Sequence, residues 1–445
     1  MKVMKFGGSS VRNAEMIRQV VQIALNSLDD APVLVASAMG KTTDHLVELA
    51  IAAATGDAKA SSALVDSLES FHLRESEQLV DMNRDPTLRS DLAASFAELR
   101  SLVHGITLIR ECSPRSRDAL LSFGEQLSTR IVSAAARNAG CRTELVDART
   151  LVRTDDVFGE ASPDMEITAE LVRGHLRPEA GLLLVTQGFI ASTADGVTTT
   201  LGRGGSDFTA TILGAALGAD SVEIWTDVDG IMSADPRVVD NARTIPVISY
   251  DEAAELAYFG AKVVHPYTIL PAVKREIPVL VRNTGRPDEP GTRIGGAGDR
   301  AGVRAIASKR GITLVTVKSS RMLNAYGFLR AIFAVFDQHG VSVDLVATSE
   351  VSVSVTVDND RDLSAVKRDL ERLGRVIVQE EKTIISIVGR TLFEDPSFVA
   401  TVFDAVAPAH VRLVSFGSSE INLSLVVDHE EEVPVLARLH ERLWR

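Results

Sequence analysis

Between Val3 and Ser37 the chain reads strand, glycine turn, helix, strand, and no other stretch constrains the fold as tightly. Val3-Met4-Lys5-Phe6 is a short apolar strand, broken by Gly7-Gly8-Ser9-Ser10. Ile17, Val20, Val21, Ala24 and Leu25 then recur at helical spacing, with Asn13 placed as the N-cap. Ala31 to Ser37 is a second apolar strand. Such a βαβ unit implies a parallel sheet with helices against its faces. The Gly7-Gly8-Ser9 turn falls at the carboxyl end of a strand, where sheets of this kind bind ligands. Lys5 is the cation nearest to it. Gly40-Lys41-Thr42 matches the end of a phosphate-binding P-loop, but that motif needs a glycine five positions earlier, where this chain has Val35.

A second glycine-rich stretch follows the same logic. Thr200-Leu201-Gly202-Arg203-Gly204-Gly205-Ser206-Asp207 brings three glycines, a cation, a hydroxyl and a carboxylate together just before a helix expected over Phe208 to Leu217. Glycine admits close backbone approach, arginine pairs with a carboxylate or phosphate through two parallel bonds, and a helix N-terminus favours anions. Around these loops, residues from about Asp44 to Arg110 are helix-rich. Ser122-Phe123-Gly124-Glu125 precedes a helix expected over Gln126 to Asn138, and Thr143 to Val146 and Leu182 to Ile190 read as strands. Ala194-Asp195-Gly196 marks a hairpin, and Val222 to Trp225 is a strand ending in Thr226-Asp227-Val228-Asp229-Gly230. Pro287 to Gly302 has linker composition and marks a domain boundary.

Beyond the linker lies an internal repeat at an offset of 70 residues, pairing Val341 to Asp358 with Val411 to Asp428. Each copy reads strand, helix, strand, turn, strand, helix, with a final strand expected for the first copy alone. Two copies are too few for a solenoid and suit a paired ligand-sensing module.

At 445 residues the chain exceeds one ordinary domain. Its net charge of −13 argues against a nucleic-acid or anionic-membrane partner, so any anionic ligand must be held by local cations. Cys112 and Cys141 are its two cysteines, which excludes a disulfide framework, and no His/Cys/carboxylate spacing predicts a protein metal site. No stretch reads as a signal core or a membrane span, and a cytoplasmic location is expected. Phosphoryl transfer fits this inventory, because that chemistry asks for positioned cations and backbone donors. A carboxylate acceptor would need no general base, being ionised at neutral pH. Lys5, Arg203 and Lys262 supply the cations, and Asp207 and Asp227 the carboxylates to orient them.

Lys5-Phe6-Gly7-Gly8-Ser9-Ser10-Val11, Ser122 to Glu125, Thr200 to Asp207, Trp225 to Gly230 and Gly260 to Pro266 together resemble the aspartate kinases of the amino acid kinase superfamily. The resemblance covers the whole chain, and the repeat resembles the paired ACT domains of those enzymes. It implies an α/β catalytic domain over 1–300, with a mostly parallel central sheet flanked by helices, and two ferredoxin-like ACT domains at 311–380 and 381–445. It implies phosphorylation of the side-chain carboxylate of L-aspartate by ATP with Mg²⁺. Lys5, with Gly7, Gly8 and Ser9, would meet the transferring phosphoryl group, and Asp207 would orient Lys5. Thr43, Glu125, Arg203 and Ser206 would bind aspartate, Glu125 by its ammonium. Thr226, Asp227, Met232, Arg237, Lys262 and Val263 fall at nucleotide positions, Met232 where many relatives have Tyr. In the first ACT copy Met322, Phe328, Leu329, Ser342, Val343, Asp344, Thr348, Ser349 and Glu350 resemble a lysine-sensing pattern. Lysine is therefore the expected inhibitor, and a homodimer or dimer of dimers through the ACT domains the expected assembly. A sister kinase acting on glutamate or acetylglutamate, or a catalytically silent ACT sensor, are the alternatives.

Overall fold

The computed structural model describes the chain except for residues 82–85, 261–263, 297–300, 324–325, 359–361, 393, 418 and 445. The chain divides into two compact units. One comprises Met1–Ile231, Pro246–Tyr250 and Val263–Gly296, the other Met232–Ile245, Asp251–Lys262 and Ala297–Arg445.

The first unit is built on an eight-stranded sheet. Its strands are β1 (Lys2–Phe6), β2 (Val33–Ala36), β3 (Arg142–Val146) and β4 (Leu182–Gln187), then, beyond a separate hairpin of β5 (Ile190–Ser192) and β6 (Thr198–Thr200), β7 (Ser221–Thr226), β8 (Val247–Ile248), β9 (Val279–Asn283) and β10 (Thr292–Ile294). The spatial order is β3-β4-β2-β1-β7-β9-β10-β8, and every pairing is parallel except β9 with β10. Val3, Met4 and Phe6 of β1 are fully buried, as an interior parallel strand covered on both faces requires. The first helix, Ala14–Leu25, starts at Asn13, whose Oδ1 accepts the Met16 N–H at 2.9 Å. It turns Ile17, Val20, Val21 and Ala24 into the core. Because β2 lies on one side of β1 and β7 on the other, the strand order reverses there. That reversal opens a crevice at the carboxyl ends of the strands.

Two expectations change here. The stretch with linker composition contributes β10 to the sheet, with Thr292 and Ile294 fully buried. Its Gly and Pro residues turn the chain into the antiparallel pair, and Gly291 (φ +70°) has no room for a Cβ, which would lie 2.0 Å from the Val281 carbonyl oxygen. The helix Pro86–Ile109 is long and apolar enough to cross a membrane by length and composition, which the sequence reading did not anticipate. Its apolar residues recur on one face, and Leu88, Leu92, Phe96, Leu99, Val103 and Ile106 are buried in the core of this unit.

The second unit is organised on a six-stranded sheet in the order β12-β13-β11-β14-β16-β15. These are β11 (Gly302–Lys318), β12 (Val346–Thr348), β13 (Ser352–Asp358), β14 (Arg375–Arg390), β15 (Leu413–Phe416) and β16 (Asn422–Asp428). The two central strands each serve both repeats. The later part of β11, Ile312 to Lys318, pairs with β13 and with the first part of β14, making a four-stranded module of the first repeat. The earlier part, Gly302 to Lys309, pairs with Arg390 to Ile384 of β14, which pairs on with β16 and β15. The fourth strand of the second module therefore precedes the first module in the chain. Gly311 (φ +70°) and Glu381 (φ +54°) mark where the two strands pass from one module to the other, beside register shifts in their pairing. The stretch Met232–Ile245 joins this unit, with Ala234 and Val239 packed into the core of the second module alongside Ile306, Ile385 and Leu439.

Candidate active site

At the crevice, four strand ends are stitched together by backbone hydrogen bonds. Gly7 N–H donates to the Trp225 carbonyl (3.2 Å), Ser37 N–H to that of Phe6 (3.0 Å) and Gly188 N–H to that of Ala36 (2.9 Å). Beneath them the Phe6 and Trp225 rings stack at 5.8 Å. Lys5, which is 9% exposed, extends its Nζ to 2.6 Å from Oδ1 of Asp207. A cation so far from solvent needs a charged partner close by, and Asp207 supplies it from the first turn of a helix, where the macrodipole favours a carboxylate. Gly7 leaves room for the ammonium, since a Cβ there would stand 3.3 Å from Lys5 Nζ.

The Asp207 helix runs Gly205–Leu217, beginning before the expected Phe208. Ser206 and Asp207 consequently belong to its first turn, behind Gly204 in the left-handed conformation. Gly188 makes this approach possible: a Cβ on it would lie 2.5 Å from that of Ser206. The strand expected through Ile190 breaks at Gly188-Phe189, with Phe189 at φ +66°, and the helix end fits into the break. The Ser37 hydroxyl donates to that of Ser206 at 2.9 Å.

Glu125 lies in the first turn of the helix Phe123–Asn138, is 3% exposed, and accepts the Ala38 N–H on Oε1 at 3.1 Å. Its Oε2 is buried without a hydrogen-bond partner. Burial raises its carboxyl to about 8, against the opposing pull of the Ala38 N–H. A buried carboxyl oxygen beside the crevice that no described residue pairs with is a receptor for a ligand's donor.

Lys5, Gly7, Gly8, Glu125, Ser206 and Asp207 are thus built around these joined strand ends, with Thr226 at the end of β7. Ser9 is half-buried in the turn after Gly8, and Thr43 is half-buried in the first turn of the helix Thr42–Ala54. Arg203 is exposed and forms no ion pair with a described residue. Asp227 is exposed and accepts from the Thr226 hydroxyl at 3.1 Å. Met232 and Arg237 fall in the second unit, where Arg237 pairs with Asp235 at 2.7 Å. Lys262 and Val263 lie outside the described residues.

In the first module, Asp344 is held by two groups that sequence reasoning missed. Its Oδ2 accepts from Lys309 Nζ at 2.9 Å and its Oδ1 from the Tyr258 hydroxyl, while Lys309 also reaches Asp358 at 2.8 Å. Ser342 and Leu329 are exposed, and Met322, Phe328 and Val343 pack partly buried against the module core. Thr348 is exposed at the end of β12, and Ser349 and Glu350 are exposed in the tight turn that leads to β13, where the Ser349 and Ser352 hydroxyls meet at 2.7 Å. In the second module His410, Asp428 and Glu431 come within 4.8 Å of one another. Asp428 is already paired with Lys382 and Arg412, and both Glu431 oxygens accept the His410 backbone N–H.

Residues 1–283 match the amino acid kinase family, and residues 315–370 and 385–443 match the ACT domain. The chain is 36% identical to lysine-sensitive aspartokinase 3 of Escherichia coli over 457 residues, covering 99% of both. It is 37% identical to the chloroplastic aspartokinase 1 of Arabidopsis thaliana, over 99% of this chain and 80% of that one. The crystal structure of E. coli aspartokinase III in complex with aspartate and ADP, an R-state, superposes over 100% of both chains with a TM-score of 0.85. The complex of the same enzyme with lysine and aspartate, a T-state, gives 0.83.

Proposed function

The chain belongs to the amino acid kinase family and, within it, to the aspartokinases, phosphotransferases that phosphorylate aspartate; from that premise we propose how its residues divide the reaction and what regulates it. The reaction moves the γ-phosphoryl group of ATP to the side-chain carboxylate of L-aspartate. A carboxylate oxygen forms a bond to the γ-phosphorus while the bond to the oxygen bridging to ADP breaks. The nucleophile is already ionised, so no proton has to be removed. The protein's task is to gather charges and hold them still.

One observation carries this division of labour: the buried Lys5–Asp207 pair at the carboxyl end of β1. Lys5 neutralises the charge that spreads over the transferring group, and Asp207 fixes the ammonium in place. Gly7, Gly8 and Ser9 bring backbone donors to the phosphates. Glu125 receives the aspartate ammonium, Arg203 its carboxylate, and Ser206 and Thr43 complete the pocket. Thr226, Asp227, Met232, Arg237, Lys262 and Val263 serve the nucleotide, which enters with Mg²⁺. Catalysis then occupies residues 1–300, and regulation the two modules beyond, in the cytoplasm.

Lysine is the proposed feedback inhibitor, bound at Asp344, Glu350 and their neighbours in the first module. The support is twofold. The E. coli relative is described as lysine-sensitive and was solved with lysine. In this chain Asp344 already carries an ammonium, that of Lys309, in the manner a ligand ammonium would use. Effector lysine replaces Lys309 at that carboxylate. ADP release with Mg-ATP and L-aspartate, run with and without lysine and threonine, tests both halves. Aspartate-dependent release suppressed by lysine supports the reading, and indifference to lysine rejects the regulatory half. Asp344→Ala should retain activity and lose most lysine inhibition, whereas Lys309→Met should lower the lysine concentration needed. Assembly through the modules as a homodimer, or as a dimer of dimers, is supported by the exposed Val346 and Val414 on the two edge strands and is checked by light scattering.

A further inference from the structure

The helix Pro114–Leu121 precedes the Glu125 helix, and its Asp118 has no place in the roles assigned so far. Asp118 is 1% exposed, yet no described cation pairs with it. Its carboxylate is satisfied by donors from the end of β6 and from a second, distant segment at Gly159. Oδ2 accepts the Thr200 N–H at 2.9 Å and the Gly159 N–H at 2.9 Å, and Oδ1 accepts the Thr200 hydroxyl at 2.9 Å. Burying a lone carboxylate is costly, and three aimed donors are what offsets that cost.

The loops it ties are the entry to Gly202-Arg203-Gly204 and the segment lying over it. Ala161 N–H donates to the Thr200 carbonyl at 2.9 Å, so both backbone groups of Thr200 are fixed. Gly202 (φ +71°) is pressed against the second loop: a Cβ there would stand 3.1 Å from Glu160 Cγ and 3.3 Å from the Gly159 carbonyl oxygen. Arg203 follows at once and is exposed, with no ion pair to a described residue to hold its side chain. Its position is therefore set by the backbone on either side: the Gly205–Leu217 helix after it and Thr200 before it. Asp118 and Glu125 also share one short run of chain, Asp118-Ala-Leu-Leu-Ser-Phe-Gly-Glu125.

We propose that Asp118 is a positioning residue for the aspartate pocket, anchoring the Thr200–Gly204 loop so that Arg203 is held at a fixed distance from Glu125. The proposal rests on the reading above that Arg203 and Glu125 take the two charged ends of the amino acid. It makes Asp118 specific to one substrate: the phosphate turn at Gly7-Gly8 and the Lys5–Asp207 pair do not depend on the anchor.

The test compares Asp118→Ala, Asp118→Asn and Arg203→Ala in the full-length protein, with separate KM values for aspartate and ATP. Asp118→Ala leaves the Thr200 N–H and hydroxyl and the Gly159 N–H without their acceptor and should raise the aspartate KM about tenfold or more, with the ATP KM within about twofold of wild type. Asp118→Asn should recover most of the loss. Its amide oxygen can still accept both N–H groups, and its NH₂ can donate to a Thr200 hydroxyl that has rotated. An unchanged aspartate KM in Asp118→Ala, a parallel rise in both KM values, or an Asn variant as impaired as Ala would each overturn the proposal. Arg203→Ala separates the two levels. If it leaves the aspartate KM unchanged, the pocket assignment itself is wrong; if it raises that KM while Asp118→Ala does not, only the anchor fails.

Discussion

Replacing Lys5 with Met is expected to lower kcat for aspartate-dependent ADP release by about 10³-fold, with a much smaller change in the aspartate KM. The size follows from the role. A preorganised cation aimed at charge that develops in the transition state is worth roughly 10²–10³ when removed, and Lys5 acts from a site largely closed to water. The variant has a second effect that distinguishes this structure from a generic loss of charge. Asp207, whose side chain is 13% exposed, loses its counter-ion and becomes a buried uncompensated carboxylate. Leaving such a charge unpaired costs on the order of 3 kcal/mol, so the melting temperature of Lys5→Met should fall by several degrees. The double variant Lys5→Met/Asp207→Asn should regain most of that stability and none of the activity. Recovery of turnover in the double variant would mean that the pair is structural and that another cation meets the phosphoryl group.

The second large effect concerns Glu125 and pH. Burial raises this carboxyl from its ordinary 4.5 to about 8, so the ligand-free protein holds it protonated at neutral pH. Aspartate offers an ammonium that only the ionised form can pair with strongly. Binding below about pH 8 must then release a proton. The aspartate KM should fall about tenfold per unit as pH rises from 6 towards 8 and level off above that, in the manner of any linked ionisation. Glu125→Gln should abolish this slope and raise the KM about 10²-fold, the scale of losing a buried charge-assisted bond. Stability runs the other way. For an acid whose folded value is raised, the protonated form's contribution is complete below about 4.5 and is lost as pH climbs through about 8. Ligand-free Glu125→Gln, which stays neutral, should match wild type near pH 4 and exceed it progressively up to pH 8, by up to about 1.4 kcal/mol per unit. A flat KM profile in the wild type would show that Glu125 does not meet the ammonium.

Much of this was written locally. The apolar run of β1, the glycines that end it and the Asn13 cap act over a few residues, and short-range sterics and hydrogen bonding suffice to specify them. The offset of 70 residues likewise announced two similar modules, because each repeats its own pattern of burial. What local pattern could not announce was which distant partner completes each piece. Gly302 to Lys309 falls between the stretch of linker composition and the first repeat, and only its pairing with Arg390 to Ile384 makes it the missing strand of the second module. Nothing local in Met232–Ile245 announced that it clusters with the second unit, where Ala234 and Val239 bury themselves beside Ile385 and Leu439. Asp118 gave no signal beyond an acidic residue near a helix start, and Lys309 none beyond a charge in a strand. Their partners stand 82 and 35 positions away. The sequence by itself determined the elements, the glycine turns and the chemical inventory, since these follow from propensity and periodicity. The tertiary structure alone decided which buried carboxylates meet cations, which meet only N–H and O–H donors, and which keep an oxygen unpaired. Those are properties of burial and approach between chain segments that no local spacing encodes.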